Sequence, residues 1–143
     1  MNREIVFRGR GLASNGWYYG SLIQTELLRV PEIVYDSVAC YKIQVKNVGQ
    51  WTGLNDKNGK MIFEDDILKS TFSQHSCDMV VRYGDIPNQD KYVETHIGFY
   101  IEIKNDHPFD WDEWCRNDLK HWAEDSEVIG NLWDTPELWE KEE

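Results

Sequence analysis

Nowhere in the 143 residues does an uninterrupted apolar run of about 18 side chains occur, so no membrane-spanning helix is expected. The opening MNREIVFRGRG lacks the apolar stretch of a signal peptide, which points to the cytoplasm. Cysteine is scarce. Cys40, Cys77 and Cys115 are odd in number and far apart, and no C-x-x-C pair occurs, so buried reduced thiols are expected rather than a disulfide frame. His75 with Cys77 and His121 with Cys115 lack zinc-site spacing. Neither G-x-x-x-x-G-K-[ST] nor G-x-G-x-x-G is present, which leaves nucleotide binding without support. Asp106-His107 and Asp110-Asp112-Glu113 set acid beside His without a recognisable nucleophile. Triads are defined by geometry and not by sequence order, so an enzyme stays open as the lowest-ranked reading. No catalytic residue, cofactor or metal ligand is expected.

Aromatic residues are plentiful. They make up 13% of the chain, including seven Trp, within an apolar share of 41%, and such a chain can build a core. The net charge of −11 is unevenly placed: residues 1–69 carry 9 Lys/Arg against 8 Asp/Glu, whereas residues 70–143 carry 6 against 18. An acidic half of this kind repels nucleic-acid phosphates, so nucleic acid ranks below protein as a partner. Two readings of the acidity stay open: a solvated face that keeps the chain soluble, or a surface that captures a basic partner or mimics DNA.

The periodicity is mostly that of strands. Glu4 to Arg8 reads as a short strand with Ile5 and Phe7 inward, ended by Gly9 and Gly11. Ser14-Asn15-Gly16 makes a turn, and Trp17 to Gln24 returns to complete an N-terminal β hairpin. Thr25 to Asp36 is ambiguous, and Tyr41 to Lys46 alternates as a half-exposed strand with a basic outer face. Val48 to Leu54, with Gly49 and Gly53, reads as a bent connection. Asn58-Gly59 supplies the positive φ of a tight turn, and Lys60 to Phe63 follows as a strand. Glu64-Asp65-Asp66 then breaks the strand pattern before Ile67 resumes it, which reads as a sharp corner in a small barrel, with Asp65 able to take a left-handed backbone. The same acidic triplet could bind a hard cation, but neighbours on a strand point to opposite faces and no EF-hand spacing surrounds them. Asp78 to Tyr83 and Tyr92 to Lys104 read as strands, the latter with Ile97, Phe99, Ile101 and Ile103 on one face.

After Pro108 the period changes. Trp111, Trp114, Cys115, Leu119, Trp122 and Ala123 share one face of a helix over about 110–124, with Asp110 as its cap. A stripe of this spacing is more often core than groove. The candidate protein contact is this helix, anchored by Trp111, Trp114 and Trp122, with Asp112, Glu113, Asp118, Glu124 and Asp125 facing out. Glu127 to Trp133 reads as a last strand. Thr135-Pro136 then starts a short helix through Trp139.

Three stretches resemble one family. VGQWTGLNDKNGKMIFEDDILK, residues 48–69, resembles the signature of the YopX family of phage and prophage proteins in its Gly49–Leu54 start, its Asp56–Gly59 turn and its Glu64–Ile67 end. Arg3–Arg8 and Val128–Trp133 with Pro136–Leu138 are similar to the same family. Asp65 stands where that family usually has Gly. The resemblance implies a mostly β protein with a small SH3-like barrel and plausible homo-oligomers, and it implies no activity.

The expectation is therefore a mainly β chain with an N-terminal β subdomain over 1–47 and an SH3-like barrel over 48–143 carrying the acidic Trp-rich helix, with one or two α-helices near the C-terminus. Gly49, Gly53, Asn58, Gly59, Asp65 and Asp66 serve as its structural corner. Its function is that of an accessory protein in the bacterial host's cytoplasm, working by association with itself or with a host or phage protein. The alternative is nucleic-acid association, which requires Lys42, Lys46, Lys57 and Lys60 to cluster with Arg3, Arg8 or Arg10.

Overall fold

The computed structural model describes residues 4–12, 16–23, 31–35, 39–70, 77–85, 97–103 and 119–139. The chain divides into two compact units, Met1–Gly53 and Leu54–Glu143. Gly49 and Gln50 pair with the first strand and so belong to the first unit. Described strands form two open antiparallel sheets.

The first unit holds β1 (Phe7–Arg10), β2 (Trp17–Ile23), β3 (Glu32–Tyr35), β4 (Ala39–Lys42) and the start of β5 (Gly49–Asn55). Their order across the sheet is β4-β3-β2-β1-β5. The expected hairpin is there, with Arg8 opposite Tyr19 and Arg10 opposite Trp17. Gly9 does not end β1. Its missing side chain is filled by Ile43, whose Cβ lies 3.0 Å from where a Gly9 Cβ would sit, so the strand runs on beneath an apolar neighbour. Ile33 and Ile43 are fully buried. Ile5, expected inward, is instead 54% exposed, because β1 starts only at Phe7.

Two further expectations are corrected here. Tyr41 to Lys46 is not one strand: β4 stops at Lys42, and a 3₁₀ turn occupies Val45–Asn47. Val48 to Leu54 is not a bent connection: from Gly49 onward it is β5, since Gly49 pairs with Arg8 and the Trp51 N–H donates to the Val6 carbonyl at 2.7 Å. Gly53, at φ 87, is the local departure that glycine permits.

The second unit continues β5 and holds β6 (Met61–Phe63), β7 (Asp66–Ser70), β8 (Cys77–Asp85), β9 (Ile97–Ile103), α1 (Leu119–Ala123), β10 (Ser126–Asn131) and a 3₁₀ turn at Pro136–Leu138. β6 neighbours β5, and a second sheet runs β10-β7-β8-β9. The core gathers Ile62, Leu68, Met79, Val81 and Ile101 with Leu119, Trp122, Ala123 and Val128. α1 is too short to persist alone, so its packing onto this core holds it. The expected helix over 110–124 is thus described only at Leu119–Ala123, its earlier residues lying outside the described ones. The final helix is a single 3₁₀ turn without a side-chain cap, because the Thr135 hydroxyl instead donates to the Asn131 carbonyl at 3.1 Å.

Candidate functional site

The stretch richest in Gly, Asn and Asp folds into two hydrogen-bonded junctions. In the first, the Gly59 N–H donates to the Asp56 carbonyl at 3.0 Å and Gly59 takes φ 80, a type I turn closed by a left-handed residue. Asn58 needs no positive φ; Gly59 alone supplies it in this turn. The Asp56 carboxylate organises the turn. One oxygen accepts the N–H groups of Asn58 (2.8 Å) and Lys60 (2.9 Å), and the other accepts the Val128 N–H at 2.9 Å, 72 residues away. The Lys57 N–H donates to the Ser126 carbonyl at 2.9 Å, and the Ser126 hydroxyl donates to the Trp122 carbonyl at 2.6 Å. The turn is thereby tied to β10, and β10 to α1. Burial would raise the Asp56 pKa, but the N–H groups of Val128, Lys60 and Asn58 and the Lys60 charge outweigh it and hold the group below its ordinary value.

The second junction is the two-residue passage from β6 to β7, where the chain leaves one sheet for the other. Asp65 takes φ 67, the left-handed region its short polar side chain tolerates. Its N–H donates to the Val81 carbonyl at 2.9 Å, and its carbonyl accepts the Leu132 N–H at 3.0 Å. Asp66, 1% exposed, accepts the Phe63 N–H at 2.8 Å across the bend. Arg82 links the corner to β9, lying 3.9 Å from Asp65 and 3.0 Å from Glu102.

Beyond β10 the Asn131 side chain accepts the N–H groups of Trp133 (2.9 Å) and Asp134 (2.8 Å) and donates to Asp134 at 3.0 Å. Gly130 leaves room for Thr135, whose Cβ is 3.1 Å from a hypothetical Gly130 Cβ. The three stretches singled out in the sequence therefore meet through hydrogen bonds: the backbones of Val6 and Trp51 in the first unit, and in the second the Asp56 carboxylate with the Val128 N–H and the backbones of Asp65 and Leu132.

Among the sequence-predicted contact residues, Trp122 is 6% exposed within the core, so its ring anchors α1 to the sheets. Trp111, Trp114, Asp112, Glu113 and Asp118 lie outside the described residues. Glu124 and Asp125 are exposed at the end of α1. No three His, Cys, Asp or Glu side chains gather as metal ligands among the described residues.

The basic residues divide between the units. Arg8, Arg10, Lys42 and Lys46 belong to the first and Lys57 and Lys60 to the second, while Arg3 lies outside the described residues. Within the first unit, the backbone brings Lys42 beside β1, its carbonyl accepting the Leu12 N–H at 3.0 Å. The Arg8 and Arg10 guanidinium carbons lie 4.8 and 5.0 Å from the centre of the Trp17 ring, a pairing the sequence reading missed. Its signal was the Arg-x-Arg and Trp-x-Tyr spacing on the two arms of one hairpin, which sets all four side chains on one face.

A family model described as YopX protein matches residues 6–140. No curated protein matches the chain significantly. No described helix is long and apolar enough to cross a membrane.

Proposed function

The chain belongs to the YopX family, and from that premise we propose that it is a phage or prophage accessory protein that works by associating with protein chains, including copies of itself, and not by catalysis. The observation that carries this reading is the use made of the family segments. The Asp56 carboxylate, which acid–base chemistry would otherwise recruit, already accepts three backbone N–H groups. Charge supports association. The first unit carries 6 Lys/Arg against 4 Asp/Glu, and the second 9 against 22, so the acidity is concentrated in one unit, where it suits a basic partner.

The second unit is read as a small SH3-like barrel. The two-residue corner between β6 and β7 and the Lys57-to-Ser126 bond that ties the β5–β6 turn to β10 both suit such a form. The acidic segment over 110–124 is its contact surface and the bacterial host's cytoplasm its place of action.

Capture from host lysate, paired with light scattering on the purified chain, tests the proposal. A recovered partner or a stable oligomer supports it. A monomer that retains nothing overturns it.

A further inference from the structure

The apolar face of the β8–β9 pair runs on past the core. Alternate rungs of this pair share a face, so Met79 with Ile103, Val81 with Ile101, Tyr83 with Phe99 and Asp85 with Ile97 point the same way. Met79, Val81 and Ile101 are buried there, and Phe99 and Ile103 pack against the core they form. Further along the same face Tyr83 is 58% and Ile97 68% exposed, the most exposed of the large apolar side chains described. The Tyr83 ring stands edge-on to Phe99 at 5.0 Å, which carries the apolar surface out toward Ile97.

β9 is also the outer strand of its sheet among the described strands. An outer strand presents a row of backbone N–H and C=O groups, and proteins guard such edges by short length, Lys, Pro or a bulge, or by covering them. The other described edges are guarded in these ways. β6 has three residues, β4 carries the exposed Lys42, and β10 has a bulge between Val128 and Gly130 and gives its Ser126 carbonyl to the Lys57 N–H. β9, IGFYIEI, runs for seven residues without Lys or Pro and pairs with β8 without a register shift. Its single charge, Glu102, meets Arg82 at 3.0 Å.

We infer, on the association reading, that the β9 edge takes up an extended segment of another protein in which apolar residues alternate with Lys or Arg. Main-chain hydrogen bonds to β9 hold the segment as a further strand of the sheet. Its apolar residues lie beside Phe99 and Ile97, and its cations, on the opposite face, lie beside Glu102, whose side chain is 52% exposed. Charge selects a basic segment: the second unit carries 9 Lys/Arg against 22 Asp/Glu, and Asp85 is exposed opposite Ile97. The same excess repels both a second copy's acidic unit and a nucleic-acid backbone from this edge.

Fluorescence anisotropy of a short labelled peptide of alternating valine and lysine, added to the full chain, tests this. Salt is held at about 0.15 M, where the screening length is about 8 Å and only contacting charges count. Two control peptides have the same charge: one groups its lysines at one end, and the other alternates but is methylated on its backbone nitrogens. Ile97→Lys supplies the guard that this edge lacks, Tyr83→Ser is the uncharged variant, and both positions are exposed. Circular dichroism checks each fold. The alternating peptide is expected to bind the native chain, and either control change, or Ile97→Lys, to weaken binding about ten-fold or more, with Tyr83→Ser weakening it by a smaller factor. Equal binding of the grouped peptide overturns the inference, because charge alone then accounts for it. Equal binding of the methylated peptide, or binding unchanged in either folded variant, overturns it as well. So does a native chain that binds none of the three peptides, as when its own residues cover the edge. A host protein captured equally by the native chain and Ile97→Lys refutes this edge and leaves association intact.

Discussion

Replacing Asp56 by Ala should destabilise the second unit more than any other change in the β5–β6 turn. The carboxylate accepts N–H groups at 2.8, 2.9 and 2.9 Å, from Asn58, Lys60 and Val128. Asn58 and Lys60 are exposed, so their freed N–H groups take water, and each loss costs about 0.5–1.5 kcal/mol. Val128 is 9% exposed on β10 and cannot do so; its stranded N–H costs about 1–3 kcal/mol. Together the change costs roughly 2–6 kcal/mol, a large fraction of the stability of a domain this size. Asp56→Asn keeps one acceptor oxygen and should lose about half as much. Lys57→Ala is the control from the same turn. Its ion pair with Glu127 spans 4.0 Å between half-exposed side chains and contributes under about 1 kcal/mol.

Urea unfolding followed by tryptophan fluorescence measures all three, since five of the seven Trp lie beyond Gly53. Acid supplies a second axis. A carboxyl held below its ordinary 3.8 contributes stability that is fully present above that value and is lost as pH falls through the folded-state value. The gap between the native chain and Asp56→Asn should therefore narrow on acidification below about pH 4, where the unfolded-state carboxyl takes up its proton while the native one still holds its charge. An Asp56→Ala cost under about 1 kcal/mol, or one no larger than that of Lys57→Ala, would refute the assignment of Asp56 as the junction's acceptor.

Other positions give independent checks. Gly130→Ala places a methyl group against the Thr135 hydroxyl and within 3.2 Å of Leu138, and should cost about 1–3 kcal/mol in thermal or urea unfolding. Gly9→Ala collides with Ile43 in the same manner, with a similar cost of about 1–3 kcal/mol, and Ile43→Ala in the same chain should restore part of it. At Asp65, with φ 67, Gly should change stability by less than about 1 kcal/mol, whereas the β-branched Val should cost about 2 kcal/mol by the same measurement.

The hairpin register shows where the sequence was legible and where it stopped. Strand type followed from alternation: Ile101 is buried and Phe99 and Ile103 pack on the core, as the period-two reading required, although Ile97 at the end of the same face is 68% exposed. The helical stripe likewise placed Leu119, Trp122 and Ala123, which are buried together. Glycine misled the reading twice, at Gly9 and in Val48 to Leu54. A breaker in isolation becomes a strand residue when a neighbour fills its space, and the Ile43 that fills it at Gly9 lies far along the chain. Trp17 beneath two arginines was out of reach for a related reason. Which residues face each other across a hairpin depends on the loop length and the exact pairing, and a shift of one position would move Trp17 to the other face.

The same reasoning explains why the family resemblance lies where it does. A turn such as Asp56 to Lys60 can form from local bonds alone, and many sequences would serve it. What restricts the choice is the third acceptor bond, to Val128, because only a short acidic side chain with two oxygens reaches both its own turn and a strand 72 residues away. Asp65 is constrained similarly. Its left-handed backbone aims the N–H at Val81 and the carbonyl at Leu132, so the residue there must tolerate φ 67 while both bonds hold. Asn131 closes the set by bonding Trp133 and Asp134 just after β10, leaving Leu132 positioned to reach Asp65. These segments are matched to one another through the backbone groups they satisfy.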